Sequence, residues 1–371
     1  MAAPEVTTRD ADSIMRGCTR FLTHHYRRSP RQVFAHLAAV TDPELLPDRY
    51  GEGEVIDGFE AEVARLLGKE AAVFMPSGTM CQQIALRVWT DRRGCPNVAM
   101  HPRNHLDQHE QFGYQRLHGL RGVPVGSPNQ LLTLADLRGV AEPLGALLLE
   151  LPQREIGGHL PAWDELAAST GWARERGVPA HMDGARLWES GPFYGRDYAE
   201  IAALFDSVYV SFYKGLGGLA GSILAGPADV IAEARVWQRR HGGNLVRLYP
   251  YVLTARQGLA ERLPRMGAYH AKAREIAAAL APFPQIEVTP DPPHTNMMHL
   301  YIRADRDRLH AAALDVAEQT GVWLFSLASR YGGSPLPAYQ QVELTVGDAT
   351  LDLPTEEIAE LFRSLLDKAG A

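Results

Sequence analysis

The chain has 371 residues, a net charge of −7, 46% hydrophobic and 22% charged residues, which describes an ordinary globular protein long enough for a large and a smaller domain. The negative balance argues against nucleic acid or an anionic membrane as the main partner, and no apolar run is long enough to span a bilayer. Three scattered cysteines and an N-terminal stretch without an apolar core suit neither a disulfide framework nor a secretory signal, so we expect a cytoplasmic protein.

The first strong pattern in chain order is a short strand followed by a helix. Residues 71–75 form an apolar run, residues 80–90 have helical spacing, and Pro76-Ser77-Gly78-Thr79 lies between them. A helix N-terminus attracts phosphate through its free N–H groups and its partial positive charge, and the two hydroxyls add donors. Serine and threonine are also favoured as helix caps, so these residues alone leave a phosphate site and an ordinary cap open.

Three histidines, His101, His105 and His109, recur at a spacing of four residues. On one continuous helix they would share a face and suggest a metal site. Pro102 and Asn104 argue against a continuous helix, and no cysteine or carboxylate completes a clear ligand set. We therefore predict no metal here, and an exposed loop is the simplest interpretation.

The middle of the chain alternates apolar strands with amphipathic helices. Strands are predicted at 146–151, 178–182 and 207–212, and a helix is predicted at 163–176. This alternation is typical of a mainly parallel sheet covered by helices on both faces. Asp183 then follows directly after the second of these strands.

Lys214 follows the strand at 207–212 and is surrounded by glycines at positions 215, 217, 218 and 221. Glycines let the backbone and a flat ligand approach closely, and a partly desolvated lysine becomes a nucleophilic amine that can form a Schiff base. The spacing leaves two other interpretations open, a surface lysine beside a flexible hairpin and a dinucleotide-binding glycine loop. Against a dinucleotide-binding loop, the sequence shows no following helix with a ribose-binding acid about 20 residues further on.

An aspartate and a lysine at the ends of two successive strands suit pyridoxal phosphate (PLP). The aspartate keeps the pyridine nitrogen protonated, and the lysine holds the aldehyde as an imine. Asp183-Gly184-Ala185-Arg186 and Ser211-x-x-Lys214-Gly215-Leu216-Gly217 resemble motifs of the threonine aldolase and β-eliminating lyase group of fold-type I PLP enzymes. The resemblance implies an aminotransferase-like α/β fold, with a mainly parallel seven-stranded sheet in a large domain and a small α+β C-terminal domain.

The resemblance also assigns roles to individual positions. Ser77-Gly78-Thr79 matches a phosphate-binding stretch, and His105, five residues before Glu110, matches a histidine that stacks on the pyridine ring. The residues implied to bind the cofactor are Ser77, Gly78, Thr79, His105, Asp183, Arg186 and Lys214, of which Lys214, His105 and Asp183 are the catalytic ones.

The substrate half of the resemblance is weaker. In the family, an arginine on the last strand pairs with the substrate carboxylate, but Glu343 stands at that place here. A glutamate cannot form a bidentate pair with a carboxylate. The substrate-binding candidates are therefore Arg186, Arg247 and Arg330, of which Arg247 follows a glycine-rich break as in the family and Arg186 has the PLP phenolic oxygen as an alternative partner.

The implied domains are an N-terminal segment at 1–45, a large PLP-binding domain at 46–265 and a small domain at 266–371. The implied function is that of a PLP-dependent carbon–carbon lyase that cleaves a β-hydroxy-α-amino acid to an aldehyde and glycine. A homodimer or homotetramer is expected, with the loop at Tyr50 near a subunit boundary. The alternative, motivated by Glu343, is β-elimination or other carbanion chemistry on an unusual amino acid. A PLP-binding carrier or regulator without turnover is disfavoured because no basic DNA-binding segment is present.

Overall fold

The structure is a computed structural model that describes residues 10–327 and 338–371. The strands are β1 (Arg20–Phe21), β2 (Ala71–Met75), β3 (Asn97–Met100), β4 (Arg121–Pro124), β5 (Ala146–Glu150), β6 (Ala180–Gly184), β7 (Ser207–Ser211), β8 (Ser222–Gly226), β9 (Ile286–Thr289), β10 (Met297–Arg303), β11 (Val322–Trp323) and β12 (Tyr339–Thr345).

The α-helices are α1 (Ala11–Gly17), α2 (Pro30–Val40), α3 (Glu54–Leu66), α4 (Gly78–Arg93), α5 (His105–His109), α6 (Gly113–His118), α7 (Leu134–Arg138), α8 (Trp163–Glu175), α9 (Leu187–Tyr194), α10 (Tyr198–Ala202), α11 (Ala228–Arg240), α12 (Tyr249–Arg262), α13 (Met266–Leu280), α14 (Arg306–Thr320), α15 (Asp348–Leu351) and α16 (Thr355–Ala369). Short 3₁₀-helices cover Arg154–Ile156 and Leu263–Arg265. None of the described helices is both long and apolar enough to cross a membrane.

The chain divides into two compact units. One is continuous, Arg28–Gly267, and the other combines Ala268–Ala371 with the N-terminal residues up to Arg27. The predicted domain boundaries at 45 and 265 stay a prediction.

The continuous unit is built on a seven-stranded sheet of order β2-β8-β7-β6-β5-β3-β4. Strand β8 runs antiparallel to both neighbours, and the remaining adjacent pairs are parallel. The predicted mainly parallel seven-stranded sheet is therefore confirmed. Because these strands are parallel, the carboxyl ends of β2, β3, β5, β6 and β7 meet at one edge of the sheet.

Both faces of this sheet are covered, so even the polar residues of its central strands, such as His181 and Ser207, are buried. On one face, α4 and α11 pack on alternate residues of β2, β7 and β8, among them Val73, Tyr209 and Leu224. On the other face, α7 and α8 pack on Ala99 and Leu147 of neighbouring strands. All five residues of β6 and all five of β7 are buried, so the polar side chains at the ends of these strands lie in the protein interior.

The second unit contains an antiparallel sheet of order β12-β10-β9 and helices that include α14 and α16. It also holds a two-stranded parallel pair in which Arg20 and Phe21 of β1 lie beside Val322 and Trp323 of β11. The small α+β character was predicted, whereas the contribution of residues near the N-terminus was not.

Candidate active site

The predicted polar site residues lie at the carboxyl ends of the parallel strands or just after them. Glu150 is the last residue of β5, Asp183 is the fourth of the five residues of β6, and Lys214 lies three residues after β7. Glu150 and Asp183 are direct neighbours in the register of β5 and β6, so their side chains leave the same face of the sheet. The fold therefore gathers at one edge groups that are far apart in sequence.

Lys214 is held by the glycine-rich turn between β7 and β8. Gly217 N donates to Lys214 O at 2.9 Å, and Gly218 N donates to Phe212 O at 2.7 Å, which closes the turn around the lysine. Gly217 has a φ of 69°, so only a residue without a Cβ adopts this turn without strain. Burial, together with the nearby guanidinium of Arg186, lowers the pKa of Lys214 to about 8, although Asp183 and Glu150 act in the opposite direction.

Asp183 is 2% exposed, and its carboxylate accepts a hydrogen bond from Ala185 N at 3.1 Å. Burial raises the pKa of Asp183, while the charges of His105 and Lys214 oppose the increase. A cation placed against this carboxylate would therefore be strongly preferred over a neutral group, because it offsets the cost of burying a negative charge.

Glu150 is an acid of this edge that the sequence did not predict. Its oxygens accept from Arg154 N and from the Gln153 side-chain amide, each at 3.2 Å. Burial, and then the negative charge of Asp183, raise the pKa of Glu150 to about 8. Two neighbouring carboxyls, buried Asp183 and half-buried Glu150, thus act on one lysine, and Glu150 also fixes the turn after β5.

The start of α4 is the second part of the site. Ser77 is its N-cap and its hydroxyl accepts from Met80 N at 3.3 Å, while Thr79 is exposed. A Cβ added to Gly78 would lie 1.9 Å from the Tyr209 hydroxyl, so only glycine fits between the helix start and that tyrosine. The helix begins at Gly78, two residues before the predicted run at 80–90, and its first turn offers N–H groups that have no partner within the helix.

His105 opens helix α5, and its Nδ1 lies 3.1 Å from Glu110 Oε1. Gln83 Nε2 in turn donates to Glu110 at 3.4 Å, so the carboxylate is held from both sides and fixes the imidazole. The other two histidines of the repeat have separate partners, since His101 Nε2 contacts Gln130 O at 2.8 Å and His109 Nε2 contacts Glu155 Oε1 at 2.7 Å. Among the described residues, no group of three histidine, cysteine or acidic side chains is placed to hold a metal.

A charged cluster beside His105 was also missed from the sequence. Arg154 Nη1 donates to Glu155 Oε1 at 2.6 Å, and Arg103 Nη2 lies 3.8 Å from Glu155 Oε2. Burial works against the charge of Glu155, but His109 and the two arginines outweigh it and lower the pKa of Glu155 to about 2. The His109 ring lies 4.9 Å from the His105 ring, which connects the cluster to the site.

The arrangement fits PLP on its own geometry. An exposed threonine at a helix N-terminus suits the phosphate, and a lysine with a lowered pKa suits the aldehyde. A buried carboxylate that favours a neighbouring cation suits a protonated pyridine nitrogen. These three features lie at one edge of one sheet, where ligands of open α/β folds bind.

Comparison with known proteins identifies the family. The family model described as beta-eliminating lyase matches residues 39–305, which is most of the chain. The chain belongs to the beta-eliminating lyase family. A solved structure from Listeria monocytogenes EGD-E, provisionally assigned as an L-allo-threonine aldolase, is 41% identical to the lyase with a TM-score of 0.90, and the match covers 96% of the lyase and 98% of that chain.

Curated relatives agree with this membership. Low-specificity L-threonine aldolase 1 of Arabidopsis thaliana is 29% identical over 307 residues, which are 79% of the lyase and 85% of that protein. Aldolase vrtJ of Penicillium aethiopicum is 33% identical over 260 residues, which are 67% of the lyase and 66% of that protein. The predicted family and fold are confirmed.

The candidate substrate arginines differ in their placement. Arg186 occupies the N-cap position of α9, three residues after Asp183, and its charge acts on Lys214. Arg247 is exposed and donates to Val246 O at 2.9 Å. Arg330 lies outside the described residues. Glu343 lies 3.7 Å from His299 Nε2 within the second unit.

The lowered pKa of Lys214 predicts how the lyase captures its cofactor at different pH. Only the neutral amine attacks an aldehyde, so the attachment rate should rise as pH increases through about 8, well below the range of an ordinary lysine near 10.4. Stopped-flow absorbance after mixing apoenzyme with PLP measures this rate.

Glu150→Gln is the matched variant for this measurement. The charge of Glu150 favours protonated Lys214, so its removal should move the midpoint to lower pH. A midpoint above pH 9 in the unmodified lyase, or a shift to higher pH in Glu150→Gln, would contradict the electrostatic interpretation.

Proposed function

We propose that the lyase uses PLP to cleave the Cα–Cβ bond of β-hydroxy-α-amino acids, giving an aldehyde and glycine. The observation that carries the proposal is the placement of Lys214, with its lowered pKa, near buried Asp183 and its strand neighbour Glu150 at the carboxyl edge of the sheet. The family match and the similarity to threonine aldolases support the same chemistry.

Each residue then has a defined task. Lys214 Nζ would hold the cofactor aldehyde, and as a neutral amine it could also accept a proton from the substrate. His105, oriented by Glu110, would pack on the cofactor ring, and Asp183 would keep a proton at the ring nitrogen. When bound, PLP supplies an electron sink that stabilises negative charge at the substrate Cα.

The phosphate is assigned to the start of α4, which allows a direct test. Thr79→Ala removes a donor to a charged oxygen, a loss of about 1.5–3 kcal/mol, so PLP should bind roughly tenfold or more weakly. Titration of apoenzyme with PLP, followed by absorbance, measures the dissociation constant.

Ser29→Ala is the control for this test, because it removes an N-cap from α2 and should leave PLP affinity unchanged. Equal affinity of Thr79→Ala and the unmodified lyase would reduce this stretch to an ordinary helix cap.

An oligomer is proposed from the surface that carries Arg247. Tyr50 N donates to Val246 O at 3.3 Å, and Tyr50 and Val246 are 49% and 54% exposed. Buried Asp48 accepts from Leu248 N at 2.9 Å and so fixes the two segments together. An apolar surface of this kind suits a homodimer or homotetramer, in which Arg247 reaches the substrate carboxylate of a neighbouring subunit. A cytoplasmic location, as expected from the composition, is part of the proposal.

Arg247→Lys tests that role. Lysine keeps the charge but lacks the planar fork that grips a carboxylate, so the Michaelis constant should rise several-fold while PLP absorbance stays the same. Arg239→Lys, on the exposed side of α11, is the control. Unchanged kinetics would leave the substrate carboxylate to Arg186 or Arg330.

A panel of amino acids with product identification by mass spectrometry tests the reaction itself. Threonine, allo-threonine and phenylserine should each give glycine and the matching aldehyde. Formation of ammonia and a keto acid instead would establish the alternative, β-elimination. Loss of PLP absorbance with no product from any member would leave the chain a PLP-binding protein without turnover.

A further inference from the structure

Four charged or titratable side chains lie beside His105 and have no task in the proposed reaction. The His109 ring, one helical turn further along α5, lies 4.9 Å from the His105 ring. His109 Nε2 lies 2.7 Å from Glu155 Oε1, and Arg154 Nη1 donates to the same oxygen at 2.6 Å. Arg103 Nη2 lies 3.8 Å from Glu155 Oε2. We call Arg103, His109, Arg154 and Glu155 the charged cluster.

The charged cluster has more groups that carry positive charge than groups that carry negative charge. Burial raises the pKa of Glu155, but His109 and the two arginines outweigh it and bring the pKa to about 2. Glu155 Oε1 takes both short contacts, whereas 3.8 Å between Arg103 and Oε2 is too long for a hydrogen bond. Among the described residues, the carboxylate is therefore fully engaged while the Arg103 guanidinium makes no hydrogen bond.

The charged cluster is open to a ligand, since the side chains of Arg103, Arg154 and His109 are 25%, 27% and 32% exposed. It is also within electrostatic reach of the reacting lysine. Burial and then the charge of Arg186 are the larger causes of the lowered pKa of Lys214, and the charge of Arg154 adds to them. The cluster thus adjoins both the amine that would hold the cofactor and the imidazole that would pack on its ring.

We propose that Arg103 and Arg154 bind a carboxylate on the substrate side chain, so that the lyase prefers β-hydroxy-α-amino acids with an acidic group beyond Cβ. A guanidinium is the side chain that fits a carboxylate with two parallel hydrogen bonds. Glu155 holds Arg154 in place, and Arg103 supplies the donors that the cluster itself does not use. The inference rests on the proposed function and names the substrate class of the same site.

The smallest substrate of this class is 3-hydroxyaspartate. Its Cα–Cβ bond breaks, the β-hydroxyl loses its proton as its oxygen becomes the aldehyde oxygen of glyoxylate, and one proton is added at Cα to give glycine. The reaction needs no oxidant or reductant. The matched comparison is 3-hydroxyasparagine, which has the same length and an uncharged amide in place of the carboxylate.

The test is the ratio of kcat/KM for 3-hydroxyaspartate to kcat/KM for 3-hydroxyasparagine. The ratio should exceed about ten in the unmodified lyase and fall about tenfold or more in Arg103→Gln, while kcat/KM for 3-hydroxyasparagine stays within about twofold. Arg92→Gln is the control, because Arg92 pairs with Asp229 and Glu233 at the last turn of α4. This variant should keep the ratio of the unmodified lyase.

Binding gives a second readout that does not depend on turnover. Aspartate and asparagine lack the β-hydroxyl and cannot be cleaved in this way, so their dissociation constants for the holoenzyme can be measured by isothermal titration calorimetry. Arg103→Gln should weaken aspartate about tenfold and leave asparagine within about twofold. Equal weakening of both would assign Arg103 to the α-carboxylate that they share and would overturn the proposal.

Two further outcomes separate this inference from the proposed function. Cleavage of threonine with a ratio near one in the unmodified lyase would refute the acidic side-chain preference and leave the proposed function intact. Failure to cleave threonine and both hydroxylated substrates would refute the proposed function, and the inference with it.

Discussion

Lys214→Ala is expected to abolish turnover and covalent attachment of PLP while leaving the protein folded. The chain has four lysines, Lys69, Lys214, Lys272 and Lys368, so the site of attachment can be assigned without ambiguity. Borohydride reduction of the holoenzyme followed by peptide mapping should place the pyridoxyl group on Lys214. The physical reason is that its amine is the one at the carboxyl edge of the sheet with its pKa lowered to about 8.

Lys69 provides a matched control. Burial also lowers its pKa, but its amine donates to Phe205 O and lies at the opposite end of the strands, just before β2. Lys69→Ala should therefore retain PLP and turnover. A pyridoxyl label on Lys69 would refute the assigned chemistry, because it would show that a lowered pKa alone selects the reactive amine.

Asp183→Asn is expected to bind PLP but to lose turnover by several orders of magnitude. Asparagine has nearly the same size, yet it carries no charge to keep the ring nitrogen protonated, so the electron sink is lost. The aspartate is 2% exposed, which makes water a poor substitute for its charge. The rate constant for glycine formation under PLP saturation measures the effect.

Asp206→Asn is the control, because Asp206 binds the opposite end of β6. Asp206 accepts from Ala180 N at 2.7 Å at the start of β6, whereas Asp183 is near its end. This variant should lose some stability and keep its turnover. Near-normal turnover in Asp183→Asn would show that another group protonates the ring.

The sequence alone predicted the strand ends at Asp183 and Lys214 and the start of α4, because each is marked by neighbouring residues. Apolar runs ending in Asp183 or in the glycine turn after Lys214 indicate strand ends directly, and parallel strands bring such ends to one edge. The structure places these residues as that argument requires. The start of α4 was predicted to within two residues because Ser77 is a strong cap signal.

Other features of the site depend on which strands pair in the sheet, and the sequence alone does not show that pairing. Glu150 follows an unremarkable apolar run, and its meaning appears only when the register of β5 and β6 sets it beside Asp183. The two-residue strand β1 was missed because its partner β11 lies about three hundred residues away.

The parallel pairing of β1 with β11 has a consequence for synthesis of the chain. As the ribosome releases the polypeptide from its N-terminus, Arg20 and Phe21 emerge long before Val322 and Trp323 exist. The continuous unit Arg28–Gly267 can bury its own sheet in the meantime. Residues near the N-terminus must wait for nearly the whole chain, so the second unit closes last and a chain cut short before residue 322 leaves its first strand without a partner.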